Sequence, residues 1–148
     1  MPKIFIASDH RGFAKKAELV SALSNSQTII DLGPSAYDET DDYNDAAITV
    51  SESVLENPES FGILLCGSSV GINIQANRFK GIRAVACYDE KIAKLSREHN
   101  NANVLCLSAD FTETEKMLDI ISAFLGTNFL AEERYIRRNN RLDEEIGQ

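Results

Sequence analysis

Short apolar runs alternate with longer amphipathic ones along the chain, and that rhythm admits few architectures. Five runs read as strands: Lys3 to Ser8, Gln27 to Leu32, Phe61 to Cys66, Ile82 to Cys87 and Asn103 to Leu107. Between and after them come helical segments at Gly12 to Leu23, Tyr43 to Glu56, Val70 to Phe79, Glu90 to His99 and Thr112 to Phe124. In the first, Ala14, Ala17, Leu19, Val20 and Leu23 share one face; in the second, Ala47, Ile48, Val50, Val54 and Leu55 do the same.

The pattern predicts one α/β domain over residues 1–148, doubly wound and Rossmann-like, with three α/β/α layers around a five-stranded parallel sheet. A charged last segment, Ala131 to Ile146, reads as an extended C-terminal helix. By analogy with other five-stranded open sheets, the expected strand order is 2-1-3-4-5. Ligands of such sheets bind at the carboxyl ends of the strands. That edge carries Ser8-Asp9-His10, the loop Gly33 to Asp42, Cys66-Gly67-Ser68-Ser69, Tyr88-Asp89 and Ser108-Ala109-Asp110.

Charge narrows the partners. A net charge of -8 opposes the phosphate neutralisation that non-specific nucleic-acid binding needs, so an anionic ligand must meet local cations. No apolar run reaches membrane-spanning length and the N-terminus lacks a signal-peptide core, so the expected location is the cytoplasm, with no membrane partner. Cys66, Cys87 and Cys106 lie 21 and 19 residues apart without metal-ligand spacing, so free thiols, no metal and no cofactor are expected.

The sharpest local signal is Gly62-Ile63-Leu64-Leu65-Cys66-Gly67-Ser68-Ser69-Val70-Gly71-Ile72, a strand running through a small-residue turn into a helix. Such a turn aims several N–H groups at one point and can stabilise an oxyanion or a phosphate. It is also expected to lower the Cys66 pKa towards neutrality. An arbitrary cysteine in this position is more often a buried strand end, and the turn chemistry shifts that balance only moderately. Ile72 occupies the place where a low-molecular-weight cysteine phosphatase needs arginine, and no GxxxxGK[ST] run is present.

His10 and His99 read alone as a capping or surface histidine and a cation at a helix C-terminus. Arg134, Arg137, Arg138 and Arg141 share a helix face, either solvated among acidic neighbours or serving as a phosphate clamp. Tyr43 fits a packed aromatic at a helix start or a hydroxyl offered to a sugar.

Taken in order, Ser8-Asp9-His10-Arg11-Gly12, Asp31-Leu32-Gly33, Asp42-Tyr43, the Cys66 to Ile72 turn, Asn77-Arg78, Gly81-Ile82-Arg83-Ala84 and His99-Asn100-x-x-Asn103-Val104-Leu105 resemble the type B ribose-5-phosphate isomerase family, related to galactose-6-phosphate isomerase subunits, over nearly the whole chain. The resemblance implies interconversion of ribose 5-phosphate and ribulose 5-phosphate through an enediolate, in the pentose phosphate pathway. By the same resemblance Cys66 is the base, His99 assists ring opening, and the N–H groups of Gly67, Ser68, Ser69, Val70 and Gly71 hold the enediolate oxygens. Asp9, Tyr43 and Asn100 would bind the sugar, while His10, Arg134 and Arg138 would bind phosphate.

The chain departs from the family at several positions. Gln75 stands where some relatives carry a glutamate base, which favours the thiol route. Ser69 replaces an expected glycine, so a positive φ there would be strained. Asp110 replaces an arginine often assigned to phosphate, leaving phosphate affinity to Arg137 or another cation. Glu132-Glu133 replaces a glycine pair before the last arginines.

His99 is expected at the amino edge of the sheet, opposite Cys66, so a site using both must be shared between chains. A homodimer or homotetramer follows, with the helix near 131–146 touching a neighbouring subunit. A six-carbon substrate such as allose 6-phosphate or galactose 6-phosphate is the alternative within the class. A non-catalytic phosphosugar-binding module is the alternative outside it.

Overall fold

The computed structural model describes residues 1–147. Its strands are β1 (Lys3–Ser8), β2 (Thr28–Asp31), β3 (Phe61–Cys66), β4 (Ala84–Ala86) and β5 (Val104–Ser108). Its helices are α1 (Phe13–Leu23), α2 (Tyr43–Glu56), α3 (Val70–Ala76), α4 (Glu90–Asn100), α5 (Thr114–Leu125) and α6 (Glu133–Leu142). A 3₁₀ turn at His10–Gly12 leads from β1 into α1. All strand pairs are parallel, and helices cover both faces of the sheet as one three-layer α/β/α domain.

Alternation along the strands divides the core. Ile4, Ile6, Ile63, Leu65, Leu105 and Leu107 pack with Leu19, Met117, Ile120 and Phe124 beneath α1 and α5. Phe5, Ala7, Leu64, Cys66, Val104 and Cys106 face the other way, against Ala47, Val50, Val54, Ile72 and Ala76 of α2 and α3. The period of two thus aims Cys66 into the α2–α3 layer.

The strand order is β2-β1-β3-β5-β4, which corrects the expected 2-1-3-4-5. Burial explains the exchange. Every residue of β5 is buried, as a strand flanked on both sides must be. Strand β4 has three residues, with Val85 and Ala86 only half-buried, and suits an edge. Stepping back from β4 to β5 sends α4 to the face that holds α5, as a right-handed crossover requires.

Two helices stop earlier than their composition predicts. Helix α3 ends at Ala76 because the Asn77 side chain turns to the backbone of Ala84, accepting from its N–H at 2.8 Å and donating to its carbonyl at 2.9 Å. Helix α6 covers 133–142 rather than 131–146, since Asp143 accepts from Gly81 N and pairs with Arg83. Among the described residues, no helix is long and apolar enough to cross a membrane.

Gly62 marks the tightest point between β3 and α2. A Cβ there would lie 2.6 Å from Val50 Cγ1 and 3.1 Å from Val104 Cγ2. Gly62→Ala is expected to destabilise the fold by about 1–3 kcal/mol through overpacking, read as a lower urea midpoint at unchanged m-value.

Candidate active site

Three parallel strands deliver the carboxyl-edge residues side by side. Cys66 lies in register with Ser108, and Ser8 with Leu65. Loop hydrogen bonds continue that register beyond the sheet: Asp9 N donates to Leu65 O, Ala109 N to Cys66 O at 2.9 Å, and Asp110 N to Gly67 O at 3.0 Å. The loops after β1, β3 and β5 are therefore fixed relative to one another.

The turn after Cys66 is made by Ser69, which sits at φ 72 and ψ -6, the left-handed region that favours glycine. Its side chain is fully buried. The Tyr88 hydroxyl donates to Ser68 O and lies 3.5 Å from Ser69 Oγ, tying the turn to the end of β4. Ser68 Oγ accepts from Val70 N at 3.2 Å, so that N–H already has a partner. The backbone N–H groups of Ile72, Ser69 and Ser68 favour the ionised form of Cys66.

Desolvation by burial outweighs them. It is the largest influence on the thiol, the Asp9 charge adds to it, and the Cys66 pKa stands above its ordinary value. This corrects the expectation of a pKa lowered towards neutrality. The thiol does not sit at the rim of the turn; it is 4% exposed on the α2–α3 side of the sheet. Asp9 is pushed upward too, chiefly by burial, although Gly12 N donates to its Oδ1. His10 is raised above its ordinary value first by the hydrogen bond of Nδ1 with Asp41, at 2.7 Å.

Tyr43, the first residue of α2, lays its ring over Gly71, where an added Cβ would fall 2.5 Å from Cζ. Gln75, one helical turn further along α3, accepts from Asn44 Nδ2 at 2.8 Å. Asp9, His10, Tyr43 and the turn Gly67, Ser68, Ser69, Val70 and Gly71 thus border one edge with Cys66.

The other expected residues gather elsewhere. His99, near the C-terminus of α4, stacks on Tyr135 of α6 with ring centroids 4.6 Å apart, and its carbonyl accepts from Asn139. Asn100 ends α4, and its carbonyl accepts from Arg83. Arg134 covers the Tyr135 ring and pairs with Glu132, while Arg138 lies one turn further along α6. This cluster lies at the amino end of β5. Four residue steps along that strand, roughly 13 Å, separate it from the level of Cys66 before either loop adds distance.

Two features of the edge escaped sequence reasoning. Asp41 is the partner of His10, and Arg11 forms an ion pair with Asp110. Partners 31 and 99 residues apart leave no local spacing signal. Among the described residues, no group of three His, Cys, Asp or Glu side chains could hold a metal ion. The hollow beside Ser8, Gly33, Asp41 and Asp42 has a volume of about 200 Å³, and larger hollows of 520 and 630 Å³ open at the amino end of the sheet, away from the thiol.

Comparison with known proteins places this architecture. The profile of the Ribose/Galactose Isomerase family matches residues 4–142. Ribose-5-phosphate isomerase B of Escherichia coli is 40% identical over 130 residues, covering 87% of each chain. A crystal structure of a ribose 5-phosphate isomerase from Thermotoga maritima superposes with a TM-score of 0.92 at 41% identity, over 97% of this chain and 99% of that one. That of ribose-5-phosphate isomerase B from Mycoplasma genitalium, with bound ribulose 5-phosphate, gives 0.91 at 40% identity, over 95% and 93%.

The position of the thiol yields a direct test. Titration of the Cys66 thiolate by ultraviolet absorbance, taken as the difference from Cys66→Ser, should show a midpoint above the roughly 8.5 of a free cysteine. Asp9→Asn should lower that midpoint, because it removes a negative charge that opposes the thiolate.

Proposed function

This chain belongs to the Ribose/Galactose Isomerase family, and on that footing we propose that it interconverts ribose 5-phosphate and ribulose 5-phosphate in the pentose phosphate pathway. The observation that carries the proposal is Cys66 closing β3 against the N–H groups of Ser68, Ser69 and Ile72. A base and donors for a developing oxyanion then share one turn, which is what proton transfer beside a carbonyl needs.

In the proposed reaction the Cys66 thiolate removes the proton from C2 of the open-chain aldose. The electron pair moves to the carbonyl oxygen and gives the enediolate, which free N–H groups of the Gly67 to Gly71 turn stabilise. The O2 hydroxyl proton passes to O1, and return of the carbon-bound proton from the Cys66 thiol to C1 then gives the ketose and regenerates the thiolate, so no redox partner is needed. Asp9 and Tyr43 bind the sugar hydroxyls. His10 binds phosphate as a cation, because its bond to Asp41 keeps it protonated to higher pH than an ordinary histidine.

Ring opening falls to His99, with Asn100, Arg134 and Arg138 beside it, all contributed by a second copy of the chain. The opposite placement of the two clusters supports this assignment. The functional unit is then a homodimer, or a homotetramer built from it, in the cytoplasm, with α6 against the neighbouring subunit.

The purified protein should isomerise ribose 5-phosphate with and without EDTA, and Cys66→Ala should lower kcat by about 10²–10⁴-fold. The kcat should rise with pH as Cys66 ionises, whereas KM should worsen as pH passes the elevated His10 pKa and its charge is lost. Faster turnover of allose 6-phosphate than of ribose 5-phosphate would move the assignment to a six-carbon substrate. Absence of turnover with either sugar would favour a binding module.

A further inference from the structure

The carboxyl edge is rich in carboxylates, with Asp9, Asp41, Asp42, Asp89 and Asp110 on its loops. A phosphate dianion can settle there only on a cation whose donors are available. The cations of the neighbouring segments are mostly occupied. Lys15 Nζ donates to Ala109 O and Thr112 O at 2.8 and 2.7 Å, and buried Lys16 is paired with Asp31. His10 gives Nδ1 to Asp41 and has only Nε2 left to offer a phosphate.

Arg11 differs from these. Its side chain is 55% exposed, and Asp110 takes one edge of the guanidinium, with Nε–Oδ2 at 3.0 Å and Nη2–Oδ2 at 2.5 Å. That geometry engages Nε and one proton of Nη2. The fork formed by Nη1 and the other Nη2 proton carries no protein acceptor among the described residues. A guanidinium presents two such edges, and each can donate to a planar pair of oxygens.

The pair is held in place. Asp110 N donates to Gly67 O, Ser108 Oγ donates to the same carbonyl at 2.6 Å, and Phe111 N donates to Ser108 Oγ. A Cβ on Gly67 would meet Arg11 Nε at 2.7 Å and Asp110 Oδ2 at 3.0 Å. The guanidinium therefore lies directly over the residue that follows Cys66, and next to His10 in the same 3₁₀ turn. Substitution of arginine by Asp110 after β5 has not emptied this corner of positive charge; the cation arrives from the β1 loop.

We propose that Arg11 receives the phosphate of the substrate through its free fork, and that Asp110 is the positioning residue holding it over Gly67. The assignment rests on the isomerase reading. It differs from plain charge neutralisation in the sign of one effect. If Asp110 only repels phosphate, Asp110→Asn tightens binding; if it orients Arg11, the same change weakens binding although a negative charge is lost.

The test measures KM and kcat for ribose 5-phosphate and, by calorimetry, the affinity for inorganic phosphate, in the intact protein and in Arg11→Ala, Asp110→Asn and the double variant Arg11→Ala/Asp110→Ala. Thermal melts establish that each variant is folded. The double variant keeps the local net charge. It is expected to raise KM and weaken phosphate binding by about tenfold or more, as loss of a charge-assisted pair does, with kcat within about twofold. Asp110→Asn is expected to raise KM and weaken phosphate binding without changing kcat.

Native phosphate affinity in the double variant, tighter binding in Asp110→Asn, a fall in kcat at unchanged KM, or no phosphate binding by the intact protein overturns the assignment. If the intact protein fails to isomerise the sugar yet loses phosphate affinity in the double variant, the isomerase reading fails and Arg11 stands. Turnover with native phosphate affinity in the double variant gives the reverse.

Discussion

The left-handed backbone at Ser69 lets β3 pass into α3 with a single tight turn, and the arrangement of the carboxyl edge depends on that passage. A residue with a Cβ at positive φ costs about 1–2 kcal/mol relative to a relaxed backbone. The turn is held against that cost by the Tyr88 hydroxyl on Ser68 O, by Ser68 Oγ on Val70 N and by full burial of Ser69. With the turn closed, N–H groups face the Cys66 sulfur, Gly71 comes under the Tyr43 ring, and the Gly67 carbonyl accepts from the loop after β5. A looser turn would separate these groups, and the proposed base would lose its donors.

The same constraint sets two demands against each other. Burial in the α2–α3 layer raises the Cys66 pKa, while the turn donors and α3 work in the opposite direction. A thiol resting protonated suits a buried site that ionises only a fraction of the time, and in the proposed cycle the thiolate is restored at each turnover. Fixing the loops of β1, β3 and β5 by backbone hydrogen bonds supplies the positional precision that proton transfer needs.

Legibility in the sequence followed the range of the interaction. β1 and β3 were readable to the residue, because their apolar runs are continuous and their boundaries are polar or small. The left-handed backbone at Ser69 is legible only through the family resemblance, which expects glycine at that position. The central position of β5 has a signal in the sequence: Val104 to Leu107 is uniformly apolar, whereas the apolar run at β4 is interrupted by Arg83. The Cys66 pKa shift was not readable, since it depends on how deeply the third dimension buries one sulfur atom. Nor were the pairs His10–Asp41 and Arg11–Asp110, which join loops brought together only by the sheet.

Cys66 and His99 lie at opposite ends of the sheet within one chain, so the central claim is that a working site takes one from each of two subunits. Co-expressing Cys66→Ala with His99→Ala tests this most directly. If the site is shared, each hybrid dimer carries one intact site, and random pairing of two inactive variants should recover about a quarter of native isomerase activity. Activity that stays at the level of the separate variants, in a preparation shown to contain hybrids, would contradict the shared site.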